Sequence, residues 1–156
     1  VSLPYGHLLS IAAGRREAPS PYAGEVTARE VWDYVMQSPA YIVDVRTHAE
    51  WKFTGSVNME GTQGKLVMLS WVNYPDFTAN PDFIPQLKHI ITDMDIPLFF
   101  LCRTGGRSFQ AANKAAESGY GASFNITHGF EGDHNHLKQR GCVNGWKAEG
   151  LAWMQP

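Results

Sequence analysis

Ile96-Pro97-Leu98-Phe99-Phe100-Leu101 runs straight into Cys102-Arg103-Thr104-Gly105-Gly106-Arg107-Ser108, and Phe109, Ala111, Ala112, Ala115 and Ala116 follow. The first six residues read as a strand buried on both faces, because no polar side chain interrupts the run. Ser108 to Ser118 reads as a closely packed helix of small residues, stopped at Gly119. A glycine-rich turn between a buried strand and a helix sits at the carboxyl end of a sheet, where α/β proteins collect their ligands.

Outward from this stretch, the same alternation continues. Tyr41-Ile42-Val43-Asp44-Val45 is a second short, β-branched run, and Ala122 to Ile126 a third. Thr27-Ala28-Arg29-Glu30 is a Thr-x-x-Glu capping box that opens a helix carrying Val31, Trp32, Val35 and Met36, ended by Pro39. A further helix is expected to start at Asn80 and Pro81 and to carry Phe83, Ile84, Leu87, Ile90 and Ile91, with Pro85 in its first turns. Helices alternating with buried strands predict an α/β domain with a mainly parallel sheet. That domain is expected over residues 25–156. Residues 1–24, with Pro4, Gly6, Gly14, Pro19, Pro21 and Gly24, read as an extended or partly disordered arm. The stretch from His48 to Asn80 has no clear period, and His128 to Pro156, with five glycines and two tryptophans, reads as a closing loop region.

Composition narrows the function. Thirteen Lys+Arg against fifteen Asp+Glu give a net charge of −2, which argues against a nucleic-acid partner, since phosphate contacts need a basic surface. No apolar run approaches the ~20 residues that cross a bilayer, and the Leu8–Ala13 stretch precedes Arg15-Arg16, the reverse of a secretory signal. No membrane association and a cytoplasmic location are therefore expected. Two cysteines are too few for a disulfide framework. Asp133, His134, His136 and Cys142 have a spacing that matches no closed zinc pattern, so a solvated polar loop is expected there, with no metal and no cofactor.

Cys102 is the residue that carries chemistry. Gly105 and Gly106 permit a turn whose N–H groups face inward as an anion cradle, and the next helix presents its positive end. Arg103 and Arg107 add two permanent positive charges. All three effects favour thiolate over thiol, so Cys102 is expected to be a nucleophile that needs no partner base. An inert structural cysteine would lie in apolar surroundings instead.

The loop Cys102-Arg103-Thr104-Gly105-Gly106-Arg107-Ser108 resembles the active-site loop of the rhodanese-type sulfurtransferases. Tyr41 to Arg46 with Glu50-Trp51 resembles that family's strand-then-acid segment. Gly129-Phe130-Glu131-Gly132, Asn144 to Lys147 and Gly150 to Trp153 are similar to its glycine- and tryptophan-rich closure. The resemblance runs from about Val26 to Trp153 in the family's order. It implies a rhodanese-like fold with a central parallel sheet of about five strands and helices on both faces. It also implies transfer of a sulfane sulfur from thiosulfate or a similar small anionic donor, through a Cys102 persulfide, to cyanide, a thiol or a protein. Loop residues Arg103, Thr104, Gly105, Gly106, Arg107 and Ser108 would hold the persulfide and draw in the donor. Four residues separate Cys102 from Arg107, whereas cysteine-dependent phosphatases resemble C-x5-R, so phosphatase or arsenate-reductase chemistry is the lesser alternative. A non-catalytic binding or sensing module is the alternative from another class.

Gly55-Ser56-Val57-Asn58 departs from the family's usual Gly-His-Ile-Pro-Gly-Ala run. Asp44, Arg46 and Glu50 are expected to form a structural ion-pair network, a supporting role beneath the loop being the alternative. Trp71, Tyr74 and Phe77 are expected to bury the long 61–81 segment, or else to wall the active site and select the acceptor. His128 and Glu131 leave the third strand where they can approach the same pocket. Cys142 is expected to be a passive thiol.

Overall fold

The computed structural model describes residues 2–156. In chain order the elements are α1 (Tyr5–Gly14), β1 (Gly24–Val26), α2 (Ala28–Val35), β2 (Ala40–Asp44), α3 (His48–Thr54), β3 (Ser56–Val57), β4 (Gly64–Met68), β5 (Val72–Asn73), β6 (Thr78–Ala79), α4 (Phe83–Ile90), β7 (Leu98–Leu101), α5 (Gly106–Glu117), β8 (Ser123–Ile126) and β9 (Trp153–Met154). Five strands form one parallel sheet in the order β1-β8-β7-β2-β4. The fold is the α/β arrangement with a parallel sheet that the strand–helix alternation predicts, and its five strands match the number that the resemblance implies.

Alternation along the central strands divides the core into two. Ile42, Phe99, Leu101, Phe124 and Ile126 point to the face covered by Leu8 and Ala12 of α1, Val31 and Val35 of α2, and Trp146. Val43, Leu98 and Phe100 point to the other face, covered by Phe83 and Leu87 of α4 and by Ala111, Ala112 and Ala115 of α5. The alanines let α5 lie close to β7 and β8, which fixes where its first turn meets the loop that precedes it.

Two expectations need correction. Over its described residues, 2–24, the N-terminal segment is not an extended arm; Val1 lies outside the described residues. Tyr5–Gly14 is helical and fully buries Leu8 and Ala12; Tyr22 is fully buried too, and Gly24 to Val26 form the sheet edge. Arg15 closes the segment with a two-bonded pair to Glu30, at 2.7 and 3.1 Å. Local signals conceal this helix: two of its ten residues are glycine, and Pro4 offers no side-chain cap. In the 48–80 stretch β4 supplies an edge strand in which Val67 alone is buried, so no apolar run announces it. Finally, α4 begins at Phe83 rather than at Pro81, while Asn80 Oδ1 still accepts from Asp82 N at 3.0 Å. The capping box at Thr27 and Glu30 forms as read.

Candidate active site

Each of the four residues of β7 is buried, and the strand delivers Cys102 with 1% of its surface exposed at the sheet's carboxyl end. The chain then turns through Gly105, whose φ of +110° is open to glycine and costly for other residues. That turn aims the Gly105 N–H back at Cys102 Sγ, 3.1 Å away. Gly106 plays no such part. It is the first residue of α5 and has no positive φ, so the expectation that both glycines share the turn is corrected.

The loop is clamped from outside by the turn after β8. Phe130 N donates to Cys102 O at 2.8 Å, and Glu131 N and Gly132 N donate to Arg103 O at 3.0 and 3.2 Å. Gly129, at φ +64°, makes the approach possible, because a Cβ there would lie 2.4 Å from Cys102 O. This explains the glycine-rich closure in terms of contact: it holds the loop's own carbonyls.

Beneath the loop is a polar chain that the sequence does not announce. Ser108 Oγ lies 3.2 Å from Cys102 Sγ and 2.6 Å from Asn125 Oδ1. Asn125 Nδ2 donates to Glu25 Oε1 and Oε2 at 3.0 and 3.2 Å and to Gly105 O at 3.1 Å. Glu25 also accepts from Tyr22 Oη at 2.7 Å and Thr127 Oγ1 at 3.0 Å. Ser108 and Asn125 are buried. The available signal was Asn125 itself, a lone amide within Ser123-Phe124-Asn125-Ile126, all buried.

The charged residues divide differently from expectation. Asp44 and Arg46 are fully buried and joined at 2.7 Å, with Arg46 Nε on Asp44 Oδ1 at 2.9 Å. Arg46 also donates to Thr54 Oγ1 and Gly55 O, both at 2.8 Å, and lies 4.4 Å from the centre of the Phe130 ring. The pair thus ties the end of β2 to the end of α3. Glu50 stands apart from it. It closes the Thr47 capping box of α3 and binds Arg107 through two bonds, at 2.7 and 2.8 Å. Burial alone would raise the Glu50 carboxyl, but Arg107 and the Thr47 N–H outweigh it and hold it below the usual range. Burial likewise works against the Arg107 charge, and Glu50 more than restores it. Arg103 is exposed and has no ion pair or side-chain hydrogen bond among the described residues.

Two depressions flank the loop. One, of about 400 Å³, is lined by Thr47, Phe53, Tyr74, Phe77, Arg103, Arg107 and Glu131. The other, of about 490 Å³, is lined by Glu25, Thr104, Gly105, Gly106, Asn125 and His128. Glu131 and His128 therefore approach the loop from opposite sides. Of the three middle-segment aromatics, Tyr74 and Phe77 wall the first depression, Phe77 with its ring centre 5.5 Å from the Arg107 guanidinium. Trp71 packs on Phe83 and donates to Gln110. His128 Nδ1 is 3.7 Å from Asp133, and no group of three His, Cys, Asp or Glu among the described residues could hold a metal. Cys142 is exposed and both cysteines are free. No helix among the described residues is long and apolar enough to cross a membrane.

The chain is similar to protein RP600 of Rickettsia prowazekii (strain Madrid E), 37% identical over 120 residues, covering 76% of this chain and 86% of that one. It is similar to the protein in the dnaA 5' region of Rickettsia montanensis, 37% identical over 73% of this chain and 82% of that one. Among solved structures, Rv0390 from M. tuberculosis is 36% identical with a TM-score of 0.79, over 86% of this chain and 99% of that one. The polysulfide-sulfur transferase homodimer of Wolinella succinogenes shares the fold at 16% identity and a TM-score of 0.58, over 97% of this chain and 88% of that one. The family model for the rhodanese-like domain matches residues 27–136, the span that holds the Cys102 loop and the clamp over it, and the chain belongs to that family.

Proposed function

We propose that the protein is a sulfurtransferase in which Cys102 is the nucleophile and the carrier of the transferred sulfur. The observation that carries this reading is the placement of a buried thiol sulfur at the floor of a turn with a fixed backbone N–H 3.1 Å away. In the first half of the reaction the Cys102 thiolate attacks the outer sulfur of thiosulfate or a similar donor. The donor's S–S bond breaks, sulfite leaves with the bonding electrons, and a Cys102 persulfide remains. In the second half an acceptor nucleophile (cyanide, a thiol or a protein) attacks the outer sulfur, and Cys102 departs as thiolate. Splitting the transfer this way needs a good nucleophile and a held anion, with no metal and no organic cofactor.

Arg103 and Arg107 then have separate tasks. Arg107 is committed to Glu50 and shapes the rim. Arg103, exposed at the mouth, is free to draw in the anionic donor, its planar fork matching sulfonate-like oxygens. Polysulfide-sulfur transfer on the same fold in the Wolinella succinogenes protein is compatible with this chemistry. Thiocyanate formation from thiosulfate and cyanide tests the reading: wild type turns over, and Cys102→Ala, folded by circular dichroism, does not. Equal turnover by both proteins overturns it.

A further inference from the structure

Ser108 has one hydroxyl proton and two neighbours able to accept it, the Cys102 sulfur at 3.2 Å and Asn125 Oδ1 at 2.6 Å. Asn125 settles the competition. Its two N–H groups face two acceptors, the Glu25 carboxylate and the Gly105 carbonyl, so a flipped amide would set its oxygen against both. Oδ1 must therefore face Ser108, and no other side chain among the described residues donates to it. The sulfur, in contrast, keeps the Gly105 N–H whatever Ser108 does. Turning Ser108 to the sulfur would leave the buried amide oxygen with no donor, whereas the sulfur already has one.

We infer that Asn125, oriented by Glu25, withholds the Ser108 proton from Cys102, so that Ser108 turns a lone pair rather than a donor toward the sulfur. This rests on Cys102 being the reacting nucleophile and makes Glu25 and Asn125 positioning residues for it. Glu25 lies outside the family-matched residues 27–136, pairs with Asn125 in the β1–β8 register, and is itself held by Tyr22 and Thr127. The N-terminal segment is thereby part of the sulfur site, and it restrains the nucleophile rather than activating it.

The test is the rate at which iodoacetamide alkylates Cys102, measured over pH 5–9 in a Cys142→Ser background so that the exposed thiol does not contribute. Removing Asn125 frees the Ser108 proton to turn to the sulfur and stabilise the thiolate. The other charged groups around the loop (Arg103 and Arg107, Asp44 and Arg46 at the end of β2, Glu50 on α3, Glu131 and His128 after β8) are unchanged. At the acid end of the profile, where the rate follows the thiolate fraction, Asn125→Ala is expected to react about three- to tenfold faster than its parent. In a Ser108→Ala background the same substitution is expected to change the rate by less than about twofold. No acceleration, or one that persists without Ser108, overturns the inference, because a mere loosening of the loop would not depend on the hydroxyl. Asn125→Leu, close in shape, is read the same way if the alanine variant does not fold. Alkylation needs no sulfur donor, so this outcome stands apart from whether thiosulfate loads the protein.

Discussion

Glu50 grips Arg107 through two parallel N–H···O bonds, 2.7 and 2.8 Å long, and joins the first turn of α3 to the Cys102 loop. Fork-to-fork geometry of this kind fixes both partners, so Arg107 acts as a strut and its charge is already matched. Among the described residues Arg103, one residue after the cysteine, has no such partner.

The two arginines should therefore fail differently. Arg103→Ala is expected to raise the KM for thiosulfate several-fold while leaving kcat within about threefold, since it weakens capture of an anion and little else. Arg107→Ala is expected to lower kcat by tenfold or more, because the rim it supports positions the sulfur donor. Steady-state kinetics on both variants separates the roles, and matched losses would show that the arginines share one task.

The same pair predicts a pH dependence of stability. The Glu50 carboxyl is held below its ordinary value in the folded protein. Its contribution is present in full above the unfolded glutamate range, near pH 4–5, and is lost as pH falls through the lower folded value. Glu50→Gln should lower urea stability by about 1–3 kcal/mol at pH 7, and the gap should close below about pH 4. A gap that stays constant across this window contradicts the assignment.

Asp44 and Arg46 predict a larger effect. Asp44→Ala leaves the Arg46 guanidinium buried without its carboxylate, and loss of one partner from such a pair costs about 3–5 kcal/mol. Denaturant midpoints check this. A loss under about 1 kcal/mol would mean that water or backbone carbonyls replace the carboxylate.

The N-terminal helix predicts that a residue far from the chemistry matters for folding. Leu8 is fully buried against the sheet, and Leu8→Ala is expected to cost about 2–5 kcal/mol. A mobile arm would tolerate the change with no shift in Tm.

The central elements were legible because their signals are local. Leu98 to Leu101 is an uninterrupted apolar run, Thr27 and Glu30 form a capping box, and the alanines of α5 recur at helical spacing. The turn that carries Cys102 was legible because a buried strand runs into a glycine-rich stretch and a helix follows directly. What stayed hidden depends on tertiary contact. The edge strands β1 and β4 are short or half-exposed, and α1 gains its stability from packing rather than from caps. The expected network of Asp44, Arg46 and Glu50 divides, because the fold brings Arg107 to Glu50 from 57 residues away. Asn125 and Glu25 meet across 100 residues, a juxtaposition that no spacing rule contains.

Intact-protein mass spectrometry after incubation with thiosulfate tests the central claim most directly. Wild type is expected to gain the mass of one sulfur atom, about 32 Da, to lose it on adding cyanide, and Cys102→Ala is expected to gain nothing. No adduct on folded wild type, or an adduct that survives in Cys102→Ala, would contradict a persulfide carried at Cys102.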